Sequence, residues 1–197
     1  MNVSDTRVRG RRNFLLIAAM FLLPVAVVFG LYYGGVWSPS GTSAKGELIH
    51  PALPLEVAGL RQPDGTSAGP ELFRGKWSLI YIGDGACDEA CRTALTYGRQ
   101  TRVALNKDMT RVQRVLLATG TCCDQAYLGS KQQGLIALDA SSPEAQKLLA
   151  QFPGDRGQTI FIVDPHGNLM MRHDASKVIN KDLLSDLKKL LKLSHIG

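Results

Sequence analysis

The sequence predicts an α/β domain, a sheet with helices on both sides, preceded by one membrane-spanning helix. Three observations carry this expectation. An uncharged apolar run, FLLIAAMFLLPVAVVFGLYY, occupies Phe14 to Tyr33. Continuous β-rich apolar runs recur through the remainder of the chain, and helical patterns alternate with them. With hydrophobic residues at 45% and charged residues at 20% of 197, there is apolar material for one domain of ordinary size plus the extra run.

The N-terminal run is about as long as a bilayer crossing requires, and longer than the ~7–15 apolar residues of a cleavable signal peptide. It predicts a transmembrane helix over 14–34. Pro24 is tolerated in a membrane helix, and Tyr32, Tyr33 and Trp37 stand where interfacial aromatics belong. Arg7, Arg9, Arg11 and Arg12 precede the run, whereas Val36 to Lys45 carries one lysine. The positive-inside rule therefore places residues 1–13 in the cytoplasm and all that follows the span outside it, a single-pass inner-membrane protein with a periplasmic domain. Those four arginines against Asp5 supply half of the formal net charge of +6. Much of the rest comes from Lys177, Lys181, Lys188, Lys189 and Lys192, the solvated side of an amphipathic C-terminal helix, so nucleic acid is not an expected partner.

Residues 35–52, rich in Ser, Gly and Pro without apolar periodicity, read as a flexible tether, and 53–197 as the extracytoplasmic domain. Within that domain LEVAGLRQPDGTSAGPELFRGKW offers two short extended pieces around a Pro-Asp-Gly turn. Trp77 to Gly83, WSLIYIG, suits a buried central strand. A helix follows from Asp88 to about Asn106, with Cys91, Leu95, Gly98 and Leu105 near one face. Val112 to Gly120 and Gly134 to Ala140 are further strands, the second leading to a helix with Ser142 as N-cap and Pro143 in its first turn. Thr159 to Asp164 and NLMMRH form a terminal hairpin across the turn DPHGN, and a helix over about 180–193 closes the chain.

The chemistry lies in the cysteines. Cys87 and Cys91, in GACDEAC, fall between a buried strand and a helix start. There, unpaired N–H groups and the helix dipole favour thiolate, while Asp88 and Glu89 oppose it. One helical turn apart, the two sulfurs can close a disulfide or jointly hold a soft metal ion. A static staple is the other reading, although so short a loop stabilises little. Cys122 and Cys123 follow the next strand. Carboxyl ends of parallel strands share one sheet edge, so these two are auxiliary thiols or metal ligands if their loop turns toward Cys87, and otherwise a free thiol pair or a bond confined to the loop.

The stretch LEVAGLRQPDGTSAGPELFRGKWSLIYIGDGACDEAC resembles the Sco family of cytochrome c oxidase assembly proteins. Members carry an Asp-Gly turn, a Phe-x-Gly-Lys-Trp segment, a hydrophobic strand, Gly and C-x-x-x-C. TIFIVDPHGNLMM looks like that family's late strand and hairpin, and the N-terminal anchor is shared. The resemblance implies a thioredoxin-like fold and a part in oxidase biogenesis: Cu(I) handling or thiol–disulfide exchange by Cys87 and Cys91. The implied partner is the copper-site subunit of a haem-copper oxidase or another assembly factor. In the reductase version Cys87 attacks and Cys91 resolves; in the non-enzymatic version the cysteines form a static bond and the domain is a scaffold. This chain departs from the family in lacking proline after each cysteine. Its stretch GDRGQT also contains no histidine where the family's third copper ligand stands. If the terminal hairpin is tight, His173 returns to the level of Gln158 and is the candidate replacement ligand, the other reading being a solvated histidine at the hairpin end.

Overall fold

A computed structural model describes residues 3–34, 43–120, 122–176, 181–194 and 196. It divides into two compact units, Met1–Ser43 and Ala44–Gly197. The first contains helix α1, Val3–Tyr33, which continues through Pro24. Its segment Arg11–Tyr33 is long and apolar enough to cross a membrane. Phe14, Met20 and Phe21 are accordingly exposed. The first part of the expected tether, 35–42, including Trp37, lies outside the described residues.

The second unit is built on an eight-stranded mixed sheet. Its strands are β1 (Glu47–Pro54), β2 (Leu60–Arg61), β3 (Ser67–Ala68), β4 (Trp77–Gly83), β5 (Val112–Ala118), β6 (Leu135–Asp139), β7 (Thr159–Val163) and β8 (Asn168–Asp174). They lie in the order β1-β8-β7-β4-β5-β6-β2-β3. β4, β5 and β6 run parallel, and β7 runs antiparallel to β4 with Tyr81 opposite Ile160. The carboxyl ends of the three parallel strands and the start of β7 therefore meet at one edge.

Helices cover both faces because β4, β5 and β7 are apolar on both sides. On one face α2 (Glu89–Val103), α3 (Gln125–Lys131) and α5 (Asp182–Leu193) pack over Leu79, Tyr81, Leu116 and Ile162. On the other, α4 (Pro143–Ala150), Leu60 and Phe73 pack over Ile80, Ile82, Val115 and Phe161. α4 starts as its sequence requires: Ser142 Oγ accepts the Ala145 N–H at 3.0 Å, and Pro143 needs no donor. The result is the α/β, thioredoxin-like fold class.

Two elements differ from the sequence expectation. The compact unit begins at Ala44, and Glu47–Pro54, of which 47–52 was assigned to the tether, is an edge strand paired with β8. Only Ile49 in it is even partly buried, so the strand carries no alternating pattern to read. α3 was not expected either. It has seven residues and buries only Leu128, too little for a helical period to emerge.

Candidate functional site

The site is assembled at the carboxyl edge of β4. After Gly83 the chain turns back, with the Cys87 N–H donating to Asp84 O at 3.0 Å. Cys87 has φ 52°, a left-handed conformation that costs a non-glycine residue about 1–2 kcal/mol. Asp88 then caps α2: its Oδ1 accepts the Cys91 N–H at 2.9 Å. This turn and cap bring the Cys87 and Cys91 Cα atoms to 5.1 Å, and the two residues form a disulfide. Both are inside the α2–α5 core, 0% and 1% exposed.

Asp88 does more than oppose a thiolate by its charge. As the cap it occupies the place at the helix N-terminus where an anion is best stabilised. Sequence reasoning weighed only the charge, although an Asp immediately before a helical pattern is itself the N-cap signal. Beneath the motif, Tyr81 donates to Gly157 O at 2.7 Å, and its phenol pKa is pushed up to about 12 by burial, with Asp88 and Asp155 adding to the shift. Tyr81 thus stays protonated near neutrality.

The loop after β5 is joined to this turn. Thr119 N–H donates to Gly83 O and Asp124 N–H to Gly85 O, each at 2.9 Å. Gly120 lies so close to Asp84 that an added Cβ would fall 2.8 Å from its Oδ1. Arg92, which sequence reasoning passed over, ties the two loops together. Its Nε donates to Cys87 O at 3.0 Å, its guanidinium meets Asp124 Oδ2 at 3.6 Å, and it stacks over the Tyr127 ring at 4.8 Å. Cys122 and Cys123, half-buried in this loop, are bonded to each other. Cys123 packs against the core cluster that contains Cys87 and Cys91.

His173 lies elsewhere. The Asp164–Asn168 turn and a bulge near Met170 place His173 opposite Ile160, and it is Ala175 that pairs with Gln158. The imidazole is buried, 6% exposed, with Nε2 at 3.1 Å from Met171 Sδ and 3.5 Å from Asp186 Oδ2. It borders a cavity lined by Lys45, Gly46, Tyr97, Asp174 and Asp182, which no residue of the Cys87 motif reaches. Beside α2 a separate groove is lined by Glu89, Ala90, Thr93, Gly157, Gln158, Ala175 and Ser176. His173 is thus two residues from the level of Gln158 along the hairpin, although Gln158 lines the same cavity. Among the described residues no group of three or more His, Cys, Asp or Glu side chains is placed to hold a metal.

A strand–cysteine–helix junction on a sheet of this order, with a disulfide at the helix start, defines a thioredoxin-fold protein. The chain belongs to the family described as transmembrane-like, thioredoxin-like, C-terminal domain, which matches residues 77–194. Its fold is also that of solved Sco structures. Apo Sco1 from Thermus thermophilus is 20% identical with a TM-score of 0.62, covering 78% of this chain and 99% of its own. Copper-bound yeast Sco1 is 16% identical with a TM-score of 0.60, covering 78% of this chain and 96% of its own. BsSco, in which a disulfide switch is identified, is 14% identical with a TM-score of 0.55, covering 75% and 99%. No curated protein sequence matches the chain.

A resident copper ion does not fit the donor set of this structure. The two motif sulfurs are bonded to each other, and His173 is held by Met171 and Asp186.

Proposed function

We propose that this chain is a membrane-anchored, Sco-like protein that assists cytochrome c oxidase biogenesis by thiol–disulfide exchange through Cys87 and Cys91. The observation that carries this reading is the Cys87–Cys91 disulfide at the junction of β4 and α2, beside a left-handed Cys87. Reduced, Cys87 is the attacking thiolate and Cys91 the resolving one. In the attack, a sulfur of a partner disulfide joins Cys87 and the partner's second sulfur leaves as thiolate. Cys91 then attacks Cys87, releasing the reduced partner and restoring the bond. BsSco, of the same fold, belongs by description to a family of cytochrome c oxidase assembly proteins, and this supports the copper-site subunit, or another assembly factor, as partner. The test is the reduction potential of the pair in the full chain. A value above about −300 mV supports exchange, and one well below it marks an inert bond.

The same two sulfurs, once reduced, are soft donors suited to Cu(I) as cargo. Titration of the reduced chain with Cu(I) decides this use: one equivalent bound, and lost in Cys87→Ser, supports it, and no binding removes it. A second reading, an assembly scaffold with a static bond, is favoured by the full burial of both sulfurs. Unchanged oxidase levels in cells carrying Cys87→Ser/Cys91→Ser would establish it over the first.

A further inference from the structure

We propose that Cys122 and Cys123 are the outer couple of a two-stage thiol–disulfide relay whose inner couple is Cys87 and Cys91. The proposal rests on the redox reading of the inner pair and supplies its route of access. A thiolate must approach a disulfide sulfur directly, and in this oxidised, disulfide-bonded state the inner sulfurs are closed off, at 0% and 1% exposed. Cys122 and Cys123 are only half-buried. A bond between adjacent residues closes the shortest of loops and so constrains the unfolded chain least, which leaves it little value as a staple.

The loops that carry the two couples are joined. β4 and β5 are parallel neighbours from Trp77–Val112 to Gly83–Ala118, so both cysteine loops leave the same edge of the sheet. The Asp124–Gly85 and Thr119–Gly83 hydrogen bonds and the Arg92–Asp124 contact join the loops, and Cys123 packs on the cluster holding Cys87 and Cys91. Arg92 adds a positive charge at Cys87 O, beside the place where a thiolate develops.

The external reductant is a protein dithiol. One of its thiolates attacks an outer sulfur, the Cys122–Cys123 bond breaks, and its second thiol resolves the mixed disulfide. The donor leaves oxidised, and its two protons pass to Cys122 and Cys123. The Cys123 thiolate next attacks Cys87, breaking the Cys87–Cys91 bond with Cys91 as leaving thiolate. Cys122 then attacks Cys123, breaking the Cys87–Cys123 bond and releasing Cys87. The outer disulfide is restored, the inner pair is a dithiol, and two electrons with two protons have moved inward.

The test uses the full chain in detergent micelles. In Cys91→Ser/Cys122→Ser, mild oxidation is expected to give an intramolecular Cys87–Cys123 bond in proteolytic fragments read by mass spectrometry. Reduced thioredoxin is expected to reduce the inner pair of Cys122→Ser/Cys123→Ser roughly tenfold more slowly than that of the unsubstituted chain. In the unsubstituted chain, which needs no variant to fold, limiting thioredoxin and rapid alkylation should label Cys122 and Cys123 before Cys87 and Cys91. Labelling of the inner pair first, or the absence of the cross-bond together with equal rates, overturns the relay while leaving the inner couple redox-active. An inner pair that resists excess dithiothreitol in every form overturns the reading beneath it as well.

Discussion

Asp88 sets two quantities that separate under substitution. Asp88→Asn keeps a capping oxygen for the Cys91 N–H but removes the charge. Alkylation of the reduced pair should then reach half-maximal rate at lower pH, with little change in melting temperature. Asp88→Ala should cost about 1 kcal/mol through loss of the cap. The disulfide contributes modestly: loop-closure entropy for so short a loop gives about 2 kcal/mol, the loss expected for Cys87→Ser/Cys91→Ser in thermal unfolding. His173 bears on stability rather than on the cysteines. Burial holds its pKa below the ordinary 6.5, with the Asp186 and Asp182 charges opposing less strongly. The unfolded chain therefore takes up this proton first on acidification. The His173 contribution is complete above about pH 6.5 and is lost as pH falls through the lower folded value. Melting temperatures between about pH 7.5 and 5.5 should fall less in His173→Gln than in the unsubstituted chain.

At the scale of elements, the two residues that lead into β1 are fastened to α5 by one carboxylate. Asp186 of α5 is 2% exposed and accepts the N–H groups of Lys45 and Gly46 at 2.6 and 2.8 Å. Gly46 lies against the imidazole: a Cβ there would be 2.5 Å from His173 Nε2, so the ring would have to shift within the cavity it borders. Gly46→Ala should destabilise the domain by about 1–3 kcal/mol, measured by thermal unfolding, with the strain falling on β1 and β8. None of this was legible in the sequence, because it depends on a glycine and an aspartate brought together across 140 residues. The central strands were legible. Trp77–Gly83 is apolar on both faces and bounded by Gly and turn residues, and its observed span is the one expected. Around the cysteines, the strand-to-helix junction was readable from the same run of residues. The partnership of Arg92 with Asp124 and Tyr127 was not, since it joins two helices whose pairing only the sheet order determines.

In the α/β domain, parallel β4, β5 and β6 put three strand ends on one edge, and helices on both faces bury the central strands β4, β5 and β7. That alternation was readable from the order of apolar runs, whereas the hairpin register at His173 was not. One extra residue in a bulge shifts every pairing beyond it. The anchored reading makes its own prediction: alkaline phosphatase fused after Gly197 should be active, and a reporter requiring the cytoplasm silent. At the far border of the sheet, β1 pairs with β8 at Glu47–Leu48 and again at Leu53–Pro54, with an irregularity between, and it contains Pro51 and Pro54. A sheet border is ordinarily a template on which another copy can crystallise its own strand, a hazard that rises with crowding. Pro51 and Pro54 offer no N–H to such a copy, and the broken pairing denies it a straight ladder. Copies brought together at high concentration can therefore collide without growing into filaments along this border.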